Sequence, residues 1–273
     1  MILRHPGSEH FSGGPVADPS RLDDPSPVLY FVSDVHLGGS PPEEERTKRE
    51  RLFALLDRVG EERGSLYVLG DLFDFWFEYR WVVPRTALPV LHRLDTLARG
   101  GTPVRFLAGN HDYWMADFLR RETGVEVLED GVRVLAQGRR LRLFHGDGLG
   151  PGDTGYKILK RVLRNPVAIR LFRWLHPDLG IPLAMRTSGV SRHYTGEDRA
   201  DVEGLYRHLG IPALREGSDI VLIGHHHVAR HLRRAEGEML FLGDWFRRYT
   251  CARLREGRIE LLRWPLDEAV PSE

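Results

Sequence analysis

Asp34 and His36 lie two residues apart, so in an extended turn a carboxylate and an imidazole can address one cation. Four further turns carry the same kinds of group: Gly70-Asp71, Gly109-Asn110-His111-Asp112, His145-Gly146-Asp147 and Gly224-His225-His226-His227. Taken singly, an Asp-x-His pair is common and each histidine reads as an ordinary surface or core residue. Together, Asp34, His36, Asp71, Asn110, His145, His225 and His227 offer more donors than one transition metal accepts. Two ions follow. A nitrogen and oxygen set without sulfur favours manganese, iron or zinc. A carboxylate bridging two ions ~3.5–4 Å apart would activate a water and draw charge from a phosphate, which is the chemistry of phosphoester hydrolysis. In the last motif His225 and His227 alternate onto one side, while His226 points elsewhere.

Such a set needs rigid elements that end at one place. Each motif follows a short apolar run: Val28 to Val32, Leu66 to Leu69, Val104 to Ala108, Leu141 to Phe144, and Ile220 to Ile223. These runs read as strands, and in sheets mixed with helices the sites gather outside the carboxyl ends of the strands. Between them, Glu43 to Val59 carries Leu52, Leu55, Leu56 and Val59 at helical spacing, and Thr86 to Arg99 ends at Gly100-Gly101. A third segment, Thr154 to Pro177, has Lys157, Lys160, Arg161, Arg164, Arg170 and Arg173 interleaved with apolar residues and no acid, and Pro166 should split it into two helices. Residues 1–27 hold seven Gly or Ser and five Pro without an apolar period, so they are expected to form a flexible extension to a domain over 28–265.

The 273 residues, 41% hydrophobic, suit one large domain with an insertion. With 39 basic and 39 acidic residues, no global field attracts nucleic acid, which is not expected as a partner. The lone Cys251 gives neither a disulfide within the chain nor a thiolate cluster. No apolar run nears the roughly 18 to 20 residues of a spanning helix, and a cytoplasmic protein is expected.

The ordered series of five motifs resembles the calcineurin-like metallophosphoesterase superfamily. That resemblance implies an α/β fold of two packed mixed β-sheets flanked by helices, a four-layer αββα arrangement. It also implies that Asp34, His36, Asp71 and His227 hold one metal, and that Asp71, Asn110, His145 and His225 hold the other. His111 is similar to the superfamily's substrate-polarising histidine, with Asp112 implied as its orienting partner. Asp74 and Asp112 are expected to support the ligands from behind rather than to ligate.

A closer resemblance spans Val28 to Trp264. Gly70-Asp71-Leu72-Phe73-Asp74-Phe75-Trp76, His145-Gly146-Asp147 running on to Asp153 and Tyr156, and Leu242-Gly243-Asp244-Trp245 are similar to the UDP-2,3-diacylglucosamine diphosphatase family of the lipid A pathway. It implies two divalent ions, with manganese expected, and hydrolysis of a lipid-linked nucleotide at its pyrophosphate to UMP and 2,3-diacylglucosamine 1-phosphate. It also implies a helical lid at about 154–200 and substrate contacts from Asn110, Asp153, Tyr156 and Ser191. His111 stands where well-known members carry Arg. The basic, apolar lid suits acyl chains and an anionic membrane surface, which would make the protein peripheral on the inner membrane. Two other readings are open: a soluble phosphodiesterase or nucleotide pyrophosphatase, and a scaffold without turnover.

Overall fold

The computed structural model describes residues 21–115, 117–149, 160–161, 164–194, 201–265 and 268–273, without the side chains of 21 and 186–194. Two sheets carry the fold. The first has seven strands in the order β13-β12-β11-β2-β3-β4-β5 and the second has six in the order β1-β6-β7-β8-β10-β9. In chain order they are β1 (Arg21–Asp24), β2 (Val28–Val32), β3 (Ser65–Leu69), β4 (Val104–Leu107), β5 (Glu126–Leu128), β6 (Val132–Ala136), β7 (Arg139–Phe144) and β8 (Ile220–Ile223). They continue as β9 (Ala229–Arg234), β10 (Gly237–Leu242), β11 (Thr250–Arg255), β12 (Arg258–Arg263) and β13 (Glu268–Ala269).

Period-2 alternation divides the apolar residues between two interfaces. From β2, Leu29 and Phe31 face the second sheet, joining Leu141 and Leu143 of β7 and Leu222 of β8 in one core. Val28, Tyr30 and Val32 of the same strand face the other way, onto helices α1 (Pro42–Glu61) and α2 (Leu88–Arg99). Beyond the second sheet, Val221, Ile223 and Met239 pack on Leu205, Tyr206, Ala213 and Leu214 from helical turns over 202–215. Helix, sheet, sheet, helix is the four-layer order expected of this sequence. Because strands buried on both faces gain apolar contact on each, β2 and β8 are apolar throughout, and β3 and β4 depart from this only at the buried Ser65 and Arg105.

β2, β3 and β4 run parallel, as do β7 and β8, so their carboxyl ends deliver five loops to one edge. The short helix α3 (Phe118–Glu122) follows the third of these loops. In the lid segment, helix α4 (Pro166–Trp174) begins with Asn165 capping its first turn, and α5 (Pro177–Tyr194) follows. Pro166 therefore starts a helix, where its missing N–H costs nothing.

The expected flexible extension is too long. Arg21–Asp24 forms β1, parallel to β6, and Asp24 is buried in a network with Ser26, Ser65, Tyr67 and Arg105. Prolines and a single apolar residue, Leu22, disguise this strand, which is held by polar contacts. At the other end, order runs past Pro265: Glu273 donates its N–H to His231 and accepts one from Arg233, covering the β9 edge. Residues 1–20 lie outside the described residues.

Candidate metal centre

Five candidate ligands sit in left-handed backbone conformations: Asp34 (φ 55°), His36 (φ 49°), Asp71 (φ 54°), His225 (φ 66°) and His227 (φ 53°). Residues with a Cβ seldom occupy this region, which costs of order 1–3 kcal/mol each and collects at functional sites. Tertiary bonds hold these turns. The Asp34 N–H donates to Gly70 O, the His36 N–H to Asp71 O, and the Trp245 N–H to Asp34 O.

Each of two carboxylates is anchored by one oxygen and presents the other. Asp34 Oδ2 accepts the Ser33 hydroxyl at 2.6 Å and the His225 N–H at 2.8 Å. Its Oδ1 is buried without a hydrogen bond, 3.3 Å from His227 Nε2 and 3.8 Å from His36 Nε2. Asp71 Oδ1 accepts the His111 N–H at 2.9 Å. Its Oδ2 faces His145 Nε2 at 3.5 Å, His36 Nε2 at 3.8 Å and His111 Nε2 at 3.9 Å.

Two convergent groups hold the expected ligands, Asp34, His36 and His227 in one and Asp71, His145 and His225 in the other, while a third joins His36 to Asp74 and His111. Asn110 Oδ1 lies 3.1 Å from His145 Nε2, and Asp71 Oδ2 stands between the groups. The two alternating histidines of the last motif thus divide between the groups, and neither group includes His226. Burial pushes His226 down to about 4, which keeps it neutral at physiological pH.

The donors fit divalent cations. An ion ~2.0–2.2 Å from each ligand spaces neighbouring ligand atoms about 3–3.6 Å apart. The His36 and His227 Nε2 atoms are 3.2 Å apart, and the Asp34–His227 and Asp71–His145 contacts, at 3.3 and 3.5 Å, fall in the same range. The electrostatics agree. Burial opposes a charge on His36, but Asp34, Asp74 and Asp71 outweigh it and push it up to about 9. Burial likewise opposes a charge on His145, yet Asp71, Asp147, Asp34 and the Leu69 carbonyl bring it to about 9. At these two positions the carboxylates favour positive charge, whereas burial holds His225 well below the ordinary range.

Supporting contacts set the rings. His145 Nδ1 donates to Leu69 O at 2.8 Å, which aims Nε2 inward. His111 Nδ1 donates to Asp74 O at 2.8 Å, and the Asp74 carboxylate lies 3.5 Å from His36 Nδ1. Asp74 therefore backs both imidazoles, as its supporting role requires. The expectation for Asp112 needs correcting. Its carboxylate accepts the N–H groups of Gly109 at 2.7 Å, Leu72 at 2.8 Å and Asp71 at 3.2 Å, so it clamps two loops together instead of orienting the His111 ring.

Sequence reasoning missed Lys48, fully buried on the apolar stripe of α1, four residues before Leu52. Its ammonium donates to His36 O at 2.6 Å and pairs with Glu45 at 2.7 Å, pinning the first loop. A lysine in phase with buried leucines was the available signal. Asp153 and Tyr156 lie outside the described residues, as does the side chain of Ser191.

The sequence model of the calcineurin-like phosphoesterase family matches residues 27–229. The chain belongs to the calcineurin-like phosphoesterase family. UDP-2,3-diacylglucosamine hydrolase of Porphyromonas gingivalis is 36% identical over 237 residues, covering 80% of this chain and 90% of that protein. The enzyme of the same name from Chromobacterium violaceum is 30% identical over 230 residues, covering 80% of this chain and 90% of that protein. Among solved structures, a phosphoesterase from E. coli superposes with a TM-score of 0.47 at 18% identity, over 89% of this chain and 97% of that one. As a member of this family, the chain is a metal-dependent phosphoester hydrolase.

Proposed function

We propose that this phosphoesterase hydrolyses the pyrophosphate of UDP-2,3-diacylglucosamine to UMP and 2,3-diacylglucosamine 1-phosphate, with two ions, manganese by preference. The observation that carries the two-ion reading is Asp71 Oδ2, within 3.5 Å of one histidine and 3.8 Å of another in two different donor groups. Support for the substrate comes from relatives of that name matched over most of both chains.

In this reading Asp34, His36, Asp71 and His227 hold one ion, and Asp71, Asn110, His145 and His225 the other. Bound there, such ions supply Lewis acidity to phosphate oxygens and lower the pKa of water. His111 presents Nε2 to the same cleft, because its Nδ1 proton is committed to Asp74 O. Only as the imidazolium does the ring carry a proton on Nε2 as well, and in that form it donates a hydrogen bond to the phosphate or passes that proton to the departing oxygen. Asp153, Tyr156 and Ser191 are proposed to contact substrate alongside Asn110.

The lid supports the lipid half of the substrate. Phe172, Ile169, Ile181 and Met185 pack against Phe75, Phe77 and Tyr79 near the third loop. The opposite side of the helices exposes Val167, Leu171 and Trp174 at helical spacing, with Leu179 and Leu183 and the cations Arg170 and Arg173. No helix among the described residues is long and apolar enough to cross a membrane. We propose that this side rests on anionic lipid at the inner membrane, each cation near the surface adding ~1 kcal/mol. Sedimentation with anionic vesicles tests it: binding should weaken with salt and in Trp174→Ala, and chain that stays in solution at low salt refutes it.

The substrate is tested with the manganese-loaded protein and UDP-2,3-diacylglucosamine in detergent. The proposal expects UMP and the lipid monophosphate. An untouched lipid beside rapid cleavage of a simple phosphodiester would refute the substrate and leave the two-ion chemistry in place.

A further inference from the structure

The loop after β10 carries a cation that nothing in the first donor group uses. Asp244 Oδ1 accepts the N–H groups of Phe246, Arg247 and Arg248 at 3.1, 2.6 and 3.0 Å, which fixes the loop. Arg248 is spent: its guanidinium pairs with Asp244 at 3.1 Å and donates to His227 O at 3.4 Å. Phe246, half-buried, sets its ring edge-on against His36 and His227, with centroids 5.9 and 5.3 Å apart. Arg247 is exposed, its guanidinium 5.9 Å from the Phe246 ring, and no carboxylate pairs with it among the described residues. A rigid loop therefore holds an unneutralised guanidinium one aromatic ring away from two candidate ligands.

We propose that Arg247 and Phe246 form the subsite for the nucleoside monophosphate half of the substrate. A guanidinium offers two parallel N–H donors to a phosphate, and the adjoining ring gives an apolar wall to ribose or base. Cleaving a pyrophosphate leaves one phosphate on each side, and the one that stays with the nucleoside needs a counter-charge of its own. This inference rests on the proposed function, since it assigns the nucleotide end of that substrate.

Calorimetric binding of UMP to the manganese-loaded full chain tests it without turnover. The wild type should bind UMP more tightly than it binds uridine or inorganic phosphate. Arg247→Ala should raise the UMP Kd about tenfold or more, the loss of a solvent-exposed guanidinium–phosphate contact. Arg258→Ala, on the distant β11-β12 hairpin, should leave it unchanged. With the lipid substrate, Arg247→Ala should raise KM by about the same factor and change kcat far less. Equal UMP binding in wild type and Arg247→Ala, or no UMP binding by the wild type, overturns the inference. A wild type that binds UMP through Arg247 yet leaves UDP-2,3-diacylglucosamine intact would overturn the proposed substrate alone.

Discussion

At the scale of single residues, each ligand loop separates holding from presenting. Asp34 and Asp71 each give one oxygen to neutral donors and keep the other for the cleft. His111 and Gly109 should then fail in different ways. His111→Gln removes a group that faces the cleft without belonging to either set of ligands, so kcat should fall by about 10²-fold or more with metal content intact. Loss of metal in parallel with activity would contradict that role. Gly109→Ala should instead disturb the shared carboxylate, because a Cβ there would lie 2.1 Å from Asp71 Oδ1 and 2.6 Å from Asp71 N. Both metal content and turnover should drop, turnover by about 10²-fold for a displacement near 1 Å. Elemental analysis beside steady-state rates separates the two variants. The ligand types were legible in the sequence because five turns repeated them. The work of Asp112 was not, since its partners are the backbone amides of Gly109, Asp71, Leu72 and Phe73, and a backbone amide leaves no side-chain signal.

At the scale of elements, the apolar strands and amphipathic helices appear where their periodicities indicated, and polar anchors escaped. The expected run Val28 to Val32 is β2, and the run Ile220 to Ile223 is β8. β1 was hidden because a buried ion pair holds it more than apolar area does. Asp24 takes Arg105 Nη1 and the Tyr67 hydroxyl at 2.7 Å each, and Arg105 also reaches Glu126. Burial raises the Asp24 carboxyl, but Ser26, Tyr67 and Arg105 together outweigh it and hold the group below the ordinary range. A depressed acid stabilises the fold fully above its unfolded value, near 3.9, and loses that contribution as pH falls through the folded value. Asp24→Asn should therefore cost about 3 kcal/mol at pH 7 by leaving the buried Arg105 with only the exposed Glu126 as its counter-charge. The gap between variant and wild type should narrow below pH ~4. Urea unfolding at several pH values reads it, and a gap that stays constant down to pH 3 would contradict the account.

At the scale of the whole molecule, two sheets and their loops enclose Asp34, Asp71 and Asp74, all buried. Unneutralised, these carboxylates repel one another, so divalent ions should bind the folded chain and stabilise it. Chelation should lower the melting temperature by roughly 10–20 °C, the shift expected when two sites are each held near a hundred times their Kd. An unchanged melting temperature under a chelator that abolishes turnover would contradict the claim that the ions are enclosed by the fold. Five strands meeting at one edge were legible because five apolar runs ended in the same kinds of residue, and the four-layer architecture followed from the resemblance those motifs carry. The covered β9 edge was not, because backbone bonds from the last residues leave no side-chain pattern.

Metal content and turnover, measured together on the wild type and Asp71→Ala, test the central claim most directly. Two divalent ions per chain in the wild type, with UMP released from UDP-2,3-diacylglucosamine, and loss of both metal and UMP release in the variant are the predicted result. A wild type that is fully active with one ion, or an Asp71→Ala protein that keeps two ions and its rate, would contradict a shared carboxylate at the centre of the site.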